Sequence, residues 1–297
     1  MADLTPSLVT GPDGKTYRLP PFMTQADVGL LAHDFPVRDN DIFIATYLKA
    51  GTTWMQQIVQ LLTNGGEQGD LHLSQAIPWI EGLFAGMYGG TARLFADDQA
   101  RRAFHTHLPY NLLPVAPHAK YIYVARNPKD VAVSYFYFAR NFAGIAYDGA
   151  WDEFFDAYIQ GTAYFGSVFE HVQAWWQASQ EADNILFVTY EAMKASLSNV
   201  TAEVADFLEI PHDDAFLAHV VAQSSFAAMS KNPLANGSWL EQRENSPGHL
   251  RKGIVGDWRA HFSAEQHTRF EDAQRQAWAG TELPSLFADP MPAQEMG

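Results

Sequence analysis

The sequence predicts an α/β protein in which a central parallel sheet is covered by helices on both faces. Three short apolar runs have the length and aliphatic content of buried strands: residues 41–47, 120–125 and 184–189. Helical patterns come between and after these strands, and such alternation is typical of parallel sheets, whose connections need a crossover. In sheets of this kind, ligands bind at the carboxyl ends of the strands.

The N-terminal third is expected to hold one strand and one helix. Residues 1–35 contain turn signals, Gly11–Gly14 and Pro20-Pro21, and are expected to be irregular. The helix predicted over 53–63 follows the first strand and ends at Gly65-Gly66. Residues 64–95 are rich in glycine and aromatic residues, which indicates a long loop over a pocket.

The remaining elements are expected to complete one domain over residues 1–297. The second strand leads into a helix with Pro128 in its first turn, a position that proline favours. Residues 230–256 are polar and rich in glycine and proline, so they are expected to form a lid. Amphipathic helices are predicted over 151–160, 167–180 and 199–208.

Composition argues against several classes of protein. The formal net charge is −15, which disfavours nucleic acid and anionic lipid as partners. The chain has no cysteine, so disulfides, thiolate catalysis and cysteine metal sites are excluded. It shows no run of 18 apolar residues and no evident signal peptide, and we expect a cytoplasmic protein without membrane association.

The junction after the first strand has the features of an anion site. A tight turn at Gly51 leads into a helix that begins with Thr52 and Thr53, so free backbone N–H groups and hydroxyls converge there. Lys49 adds a full positive charge. In a Walker A loop the lysine follows the second glycine, whereas Lys49 precedes the only glycine here. The segment is therefore P-loop-like without matching that loop.

Four segments of the chain resemble the cytosolic-type sulfotransferases, which use 3′-phosphoadenosine 5′-phosphosulfate (PAPS). Residues 47–54 (YLKAGTTW) are similar to the family's 5′-phosphosulfate loop, and residues 123–135 to its 3′-phosphate strand and helix. Residues 106–109 (THLP) match the segment with the catalytic histidine, and 251–258 (RKGIVGDW) match the C-terminal loop. The resemblance covers about residues 41–270, and the chain looks like a bacterial member of this family.

The resemblance implies a donor site for PAPS, which leaves as adenosine 3′,5′-bisphosphate (PAP), and no metal. The 5′-phosphosulfate would be bound by Lys49, Ala50, Gly51, Thr52 and Thr53. The 3′-phosphate would be bound by Arg126, Ser134, Arg251, Lys252 and Gly253. The base would lie against Trp54, Tyr190, Ser224, Phe226 and Met229.

The resemblance also implies the catalytic groups, His107 and Lys49. A neutral imidazole at pH 7 suits removal of the acceptor proton, and Lys49 can follow the negative charge that builds on the leaving oxygen. His105 stands where the family usually has a lysine that helps to hold the sulfonate. Either Lys49 carries more of that role here, or a nearby anion protonates His105.

The acceptor is expected to be a small apolar molecule, a phenol or a fused-ring alcohol, with an amine as a further option. Aromatic residues suggest a flat apolar pocket. The candidates are Phe22, Trp79, Phe84, Tyr88, Phe138 and Phe142, with His105 beside them.

Two other readings are open at this stage. A P-loop kinase would need a lysine after the glycine and a strand ending in aspartate for magnesium, and the sequence shows neither. A sensor of adenosine phosphates could keep the donor site without catalysis, and His105 favours it. The oligomeric state, monomer or homodimer, is also open, because the family's dimer segment falls on Arg259, Ser263, Ala264 and Thr268, and three of these four positions are altered in class or size.

Overall fold

A computed structural model describes residues 4–95, 101–244, 246 and 248–287 of the chain. In the described residues, four parallel strands form a sheet in the order β4-β3-β5-β6, and an antiparallel hairpin, β1-β2, lies apart from it. The strands are β1 (Ser7–Thr10), β2 (Thr16–Leu19), β3 (Ile42–Thr46), β4 (Ala103–Thr106), β5 (Lys120–Ala125) and β6 (Ile185–Thr189). The predicted α/β class with a central parallel sheet is confirmed.

Helices surround this sheet. Those in the first half are α1 (Gln25–His33), α2 (Thr52–Thr63), α3 (Leu73–Ala76), α4 (Ile80–Phe84) and α5 (Pro128–Asn141). Those in the second half are α6 (Trp151–Ile159), α7 (Val168–Glu181), α8 (Tyr190–Ala195), α9 (Leu197–Phe207), α10 (Asp214–Gln223), α11 (Phe226–Lys231), α12 (Ala264–Ala277) and α13 (Leu283–Leu286). None of the described helices is long and apolar enough to cross a membrane.

The two faces of the sheet pack against two separate apolar cores. Every residue of β3 is buried, and successive side chains point to opposite faces, so Phe43 enters one core and Ile44 the other. Phe43 stacks on Tyr121 of β5 with ring centroids 4.9 Å apart. Burial on both faces explains why this strand is a continuous apolar run in the sequence rather than an alternating one.

The register of the sheet brings the strand ends to one edge. Thr46 of β3 is level with Val124 of β5, and Ala45 is level with Thr106 of β4. The residues that follow these strands therefore emerge side by side. The candidate ligand-binding residues predicted from the sequence lie at this edge, as the general rule for parallel sheets predicts.

Two expectations about local structure were wrong, and one strand was missed. The segment 1–35 is not irregular, because it contains the β1-β2 hairpin and α1, whose N-terminus is closed by a capping box between Thr24 and Asp27. Strand β4 was missed because it has only four residues and lies at the edge of the sheet. Residues 64–95 are not one long loop, since α3, α4 and a 3-10 segment, Met87–Phe95, fall within them.

A buried carboxylate ties the C-terminal loop to helix α5. Asp130 of α5 accepts hydrogen bonds from the backbone N–H of Gly256 at 2.7 Å and of Trp258 at 3.0 Å. Gly256 has φ +84°, and an added Cβ would lie 2.3 Å from the Arg259 guanidinium. The loop that carries Arg251 and Lys252 therefore has a fixed C-terminal anchor.

Replacement of Asp130 by alanine should destabilise the fold. It would leave two N–H groups without their acceptor, and hydrogen bonds to a charged group are worth about 1.5–3 kcal/mol each. We expect Asp130→Ala to lower the free energy of unfolding by about 3–6 kcal/mol in urea titration, the sum of two such bonds. Asp272→Ala is the matched control, because its ion pair with Arg275 is exposed, and it should cost less than about 1 kcal/mol. Equal effects of the two substitutions would contradict this account of the anchor.

Candidate active site

The turn between β3 and α2 has the conformation that an anion site requires. Lys49 has φ +65° and Gly51 has φ +120°, so the chain reverses sharply before α2 begins at Thr52. A Cβ at Gly51 would lie 3.0 Å from the ring of Tyr190, which explains the need for glycine. The N-terminal N–H groups of α2 consequently open toward the edge of the sheet.

The hydrogen bonds of His107 define its tautomer. Nδ1 lies 3.0 Å from the backbone carbonyl oxygen of Thr46 and 3.1 Å from the Thr46 hydroxyl. A carbonyl oxygen can only accept, so the proton is on Nδ1 and the lone pair is on Nε2. Burial, together with the neighbouring His105, lowers the pKa of His107 to about 3. The ring is therefore neutral at pH 7, and its basic nitrogen is available.

The main chain of His107 is held on both sides by buried polar groups that sequence reasoning missed. Its N–H donates to Glu81 Oε1 at 2.7 Å, and its carbonyl oxygen accepts from His171 Nε2 at 3.0 Å. His171 in turn accepts from the Tyr123 hydroxyl at Nδ1, 2.9 Å away. Burial lowers the pKa of His171 to about 4 and raises that of Glu81 to about 7. These contacts fix the position of the imidazole relative to the strand ends.

His105 is a neutral side chain in this structure. Its Nδ1 lies 2.8 Å from the carbonyl oxygen of Ile77 and 2.9 Å from the Gln56 side-chain nitrogen. Burial lowers its pKa to about 4. Its ring centroid is 6.1 Å from that of His107. His105 therefore adds no charge to the site at pH 7.

Cations from three segments converge at the end of β3. Burial, with the charges of Arg126 and Arg251, lowers the pKa of Lys49 to about 7. The Lys49 ammonium lies 4.6 Å from the centre of the Phe138 ring. Arg126 is buried, donates to the carbonyl oxygens of Lys49 at 3.3 Å and Ile254 at 3.1 Å, and lies over the Tyr190 ring.

The C-terminal loop brings two more cations to this place. Arg251 and Lys252 both donate to the carboxylate of Asp257, at 2.5 Å and 2.7 Å. Gly253 has φ +62°, and an added Cβ would lie 2.6 Å from the Phe226 ring, so glycine is needed here. The loop and the start of α11 are thus packed closely together.

The residues predicted to hold the base are adjacent. The Trp54 indole N–H donates to the carbonyl oxygen of Ser224 at 2.8 Å, and its ring meets Tyr190 at a centroid distance of 5.3 Å. Tyr190 is the first residue of α8 and directly follows β6. The Ser224 hydroxyl donates to the carbonyl oxygen of Val220 at 2.7 Å, so that side chain is directed at its own helix.

Most of the predicted site residues line one cavity of about 570 Å³. On the donor side these are Lys49, Gly51, Thr52, Thr53, Trp54, Arg126, Ser134, Tyr190, Phe226, Met229, Arg251, Lys252 and Gly253. On the acceptor side they are Phe22, Trp79, Tyr88, His105, His107, Phe138 and Phe142. Ala50, Ser224 and Phe84 are not among the lining residues, since Ala50 and Ser224 are buried and Phe84 packs against the core.

The lining also includes residues that the sequence did not single out. Tyr164, Phe165, Trp239 and His249 all face the cavity. His249 is the most informative, because it lies beside both Lys49 and Thr53. It falls in the segment predicted to be a lid, where no periodic pattern indicates which side chain points inward.

The donor set suits a molecule with two anionic groups. Arg126 Nε is buried without a hydrogen-bond partner in the described structure, and the charges around Lys49 oppose its protonation. A bound anion would accept a hydrogen bond from Arg126 Nε and would favour the protonated form of Lys49. Lys49, Thr52 and Thr53 would hold a 5′-phosphosulfate, and Arg126, Ser134 and Arg251 a 3′-phosphate. Among the described residues, no group of histidine and carboxylate side chains could hold a metal ion.

Comparison with known proteins places the chain in one family. Residues 39–282 match the family described as the sulfotransferase domain, and the chain belongs to it. Sulfotransferase 1C2 of Rattus norvegicus is 34% identical over 258 residues, with 84% of this chain and 86% of that protein covered. Sulfotransferase 2B1 of Mus musculus is 36% identical over 257 residues, with 83% and 73% covered. These relatives are mammalian, and the bacterial look of the sequence stays a prediction.

Solved structures agree in fold. A mouse sulfotransferase, SULT7A1, complexed with PAP has a TM-score of 0.74 at 28% identity, covering 96% of this chain and 98% of that one. Retinol dehydratase in complex with retinol and PAP has a TM-score of 0.82 at 24% identity, covering 94% and 91%. The protein is a PAPS-dependent sulfotransferase.

The lowered pKa of Lys49 predicts that donor-site binding takes up a proton. With a pKa of about 7, Lys49 is mostly neutral at about pH 8, and an adjacent anion should return the pKa toward its usual value of about 10.4. Calorimetry of PAP binding at that pH, in buffers of different ionisation enthalpy, should therefore show uptake of nearly one proton. The affinity should fall as the pH rises above about 7, since the free enzyme then loses the proton that the complex retains.

Two variants test this assignment. Arginine stays charged at this pH, so Lys49→Arg should bind PAP with little proton uptake. Lys231→Arg, in α11, is the control and should behave as the unmodified protein does. Undiminished uptake in Lys49→Arg would show that another group is responsible.

Proposed function

We propose that the protein transfers the sulfuryl group of PAPS to a hydroxyl group of a small apolar acceptor, with His107 as the general base. The observation that carries this proposal is the position of His107. Its Nε2 lone pair is free, and its ring lies between Trp79 and Phe165, with centroid distances of 6.0 Å and 5.5 Å. A basic nitrogen is thereby placed among aromatic rings in the cavity that Lys49 also lines.

His107 would accept the acceptor proton at Nε2. The N–H at Nδ1 donates to the Thr46 carbonyl oxygen, so the imidazolium that forms keeps that hydrogen bond. Because the pKa of His107 is low, Nε2 is unprotonated before the acceptor binds. Negative charge on the bound donor would then favour the charged form as the proton arrives.

Lys49, Thr52 and Thr53 would stabilise the leaving phosphate, and PAPS supplies the sulfuryl group when it is bound. The hydroxyls of Thr46 and Thr52 lie 2.7 Å apart, which links the end of β3 to the first residue of α2. Donors arranged before the reaction need little reorganisation as charge moves, and this is the usual source of electrostatic catalysis. These side chains and the α2 N-terminus would surround the anion, so its charge would be balanced by the protein's own donors.

The lining of the cavity supports a neutral, flat acceptor. Its acceptor side is built mainly from aromatic rings, and Phe138 and Phe142 are stacked with centroids 5.2 Å apart. The one carboxylate among the described lining residues is Asp257, which is already paired with Arg251 and Lys252. A phenol or fused-ring alcohol fits such a lining better than a cationic amine, because no unpaired carboxylate among the described lining residues could balance the amine's charge and Lys49 would repel it.

We also propose that residues 230–256 act as a lid over the donor. They carry Arg251 and Lys252, and much of the segment lacks regular secondary structure. Family membership supports a cytoplasmic protein, and a net charge of −15 supports the absence of nucleic acid as a partner. The proposal leaves both a monomer and a homodimer possible.

The acceptor class is tested by a transfer assay with radiolabelled PAPS. The panel contains a phenol, a fused-ring alcohol, a linear alkyl alcohol and a phenol with an aminoalkyl chain. We expect label on the phenol or the fused-ring alcohol, with at least about tenfold lower kcat/KM for the cationic phenol. Preference for the cationic phenol would contradict the acceptor class. PAP binding without transfer to any acceptor would favour the sensor reading.

The role of the base is tested by substitution. His107→Ala should lower kcat by at least about a hundredfold, because a positioned general base is worth about 10²–10⁴ in rate. PAP affinity should change little, since His107 lies on the acceptor side. His118→Ala is the control. Retained turnover in His107→Ala at neutral pH would remove His107 from the mechanism.

A further inference from the structure

His249 lies at the donor end of the cavity and touches two residues of the phosphosulfate loop. Its Nδ1 is 3.4 Å from Lys49 Nζ, and its Nε2 is 3.1 Å from Thr53 Oγ1. The ring also meets Phe138 edge to face, with centroids 6.0 Å apart. The residue comes from the C-terminal loop, two positions before Arg251. Through Thr53 it reaches across to the first turn of α2.

The contacts of His249 assign its two nitrogens. At about pH 6.5 Lys49 is mostly an ammonium group, which can only donate, so Nδ1 accepts from Lys49 and the ring proton is on Nε2, facing the Thr53 hydroxyl oxygen. The Nδ1 lone pair thus accepts a hydrogen bond from Lys49, as the oxygen of a bound anion would. The remaining hydrogens of Lys49 and the hydroxyl hydrogen of Thr53 are left for a ligand. Both side chains also line the cavity, and so does His249.

We propose that His249 is a further ligand for the anionic group bound by Lys49 and Thr53, and that it becomes an imidazolium when that group arrives. This rests on the proposed donor site and deepens it. In the complex, Nδ1 would carry a proton and donate to the anion. The site would then hold a second charged donor beside Lys49, delivered by the loop rather than by the sheet.

The charges around His249 explain why it needs an anion to become protonated. The groups that face it are Lys49 and Thr53 from the first loop and helix, Phe138 from α5 and, at longer range, His107. None of these is an anion, and burial, Lys49 and His107 lower the pKa of His249 well below 6.5. A phosphate beside the ring would reverse the sign of the field.

The other histidine near this place does not offer the same chemistry. His105 Nδ1 lies 2.8 Å from the carbonyl oxygen of Ile77 and 2.9 Å from the Gln56 side-chain nitrogen, and neither residue belongs to the phosphosulfate loop. His249, in contrast, has both nitrogens on residues of the phosphosulfate loop. Because His249 and Arg251 belong to one short segment, ordering that segment would bring donors to both anionic ends of PAPS together.

Affinity for two nucleotides separates a ligand from a structural residue. PAP carries a 5′-phosphate and adenosine 3′-monophosphate does not. At about pH 6.5, where a histidine near an anion can be charged, His249→Phe should weaken PAP binding about tenfold or more. Its affinity for adenosine 3′-monophosphate should stay within about twofold, because that ligand lacks the group that His249 would contact. The measurement is calorimetric titration of the full-length protein.

Controls make each result decisive. His249→Gln keeps an amide donor but cannot be protonated, so its loss of PAP affinity should lie between those of the unmodified protein and His249→Phe. His212→Phe, near the surface, should have no effect. Equal losses for both nucleotides would show a structural role, and tighter PAP binding would show that the ring obstructs the site; either result overturns the proposal. If the unmodified protein does not bind PAP, the proposed donor site fails as well.

Nuclear magnetic resonance gives a direct readout. With ¹⁵N-labelled histidine, the signals of His249 are assigned by their loss in His249→Gln. At about pH 6.5, as in the affinity test, Nδ1 of the free protein should have the shift of an unprotonated nitrogen and Nε2 that of a protonated one. With PAP bound, both should have shifts of protonated nitrogens. An unchanged Nδ1 would contradict the proposal, even if the affinity result agreed with it.

Discussion

The rest of the site depends on one electrostatic constraint, the gathering of positive charge at the carboxyl edge of a buried sheet. Lys49 contacts an imidazole and a phenyl ring, and Arg126 contacts two carbonyl oxygens and a phenol ring. Neither contact set neutralises a cation. The chain as a whole has a net charge of −15, whereas this edge of the sheet is positively charged. An anionic donor is therefore attracted to this edge, and its binding offsets the repulsion among Lys49, Arg126 and Arg251.

Three buried histidines near these cations are neutral. His105, His107 and His171 are all kept uncharged, chiefly by burial. For His107 this has a catalytic consequence, because a base must be unprotonated when the acceptor binds. The hydrogen bonds of its main chain to Glu81 and His171 limit its movement, so the base is placed by the core rather than by the ligand. The base is therefore supplied by the core of the sheet, whereas Arg251 and Lys252 at the donor site are supplied by the C-terminal loop.

The fold class and much of the donor site could be predicted from the sequence because they depend on local pattern. Strands such as β5 are continuous apolar runs, and the turn at Gly51 is marked by glycine followed by two threonines. What was missed is short or aperiodic. Strand β4 has four residues at a sheet edge, and the β1-β2 hairpin is equally short, so neither leaves a periodic signal. Ser224 was expected at the donor, but its hydroxyl is bonded within its own helix.

By itself, the sequence determined the alternation of strands and helices, the residue types at the phosphate turn and the chemistry that those residues can perform. Only the tertiary structure decided which side chains meet across long separations. Lys49 and His249 are 200 positions apart, and Asp130 holds a loop 126 positions away. Local pattern encodes hydrogen bonding within a segment and burial of one face. Contacts between a loop and a distant helix depend on the packing of every element between them, and this is why His249 could be found only in three dimensions.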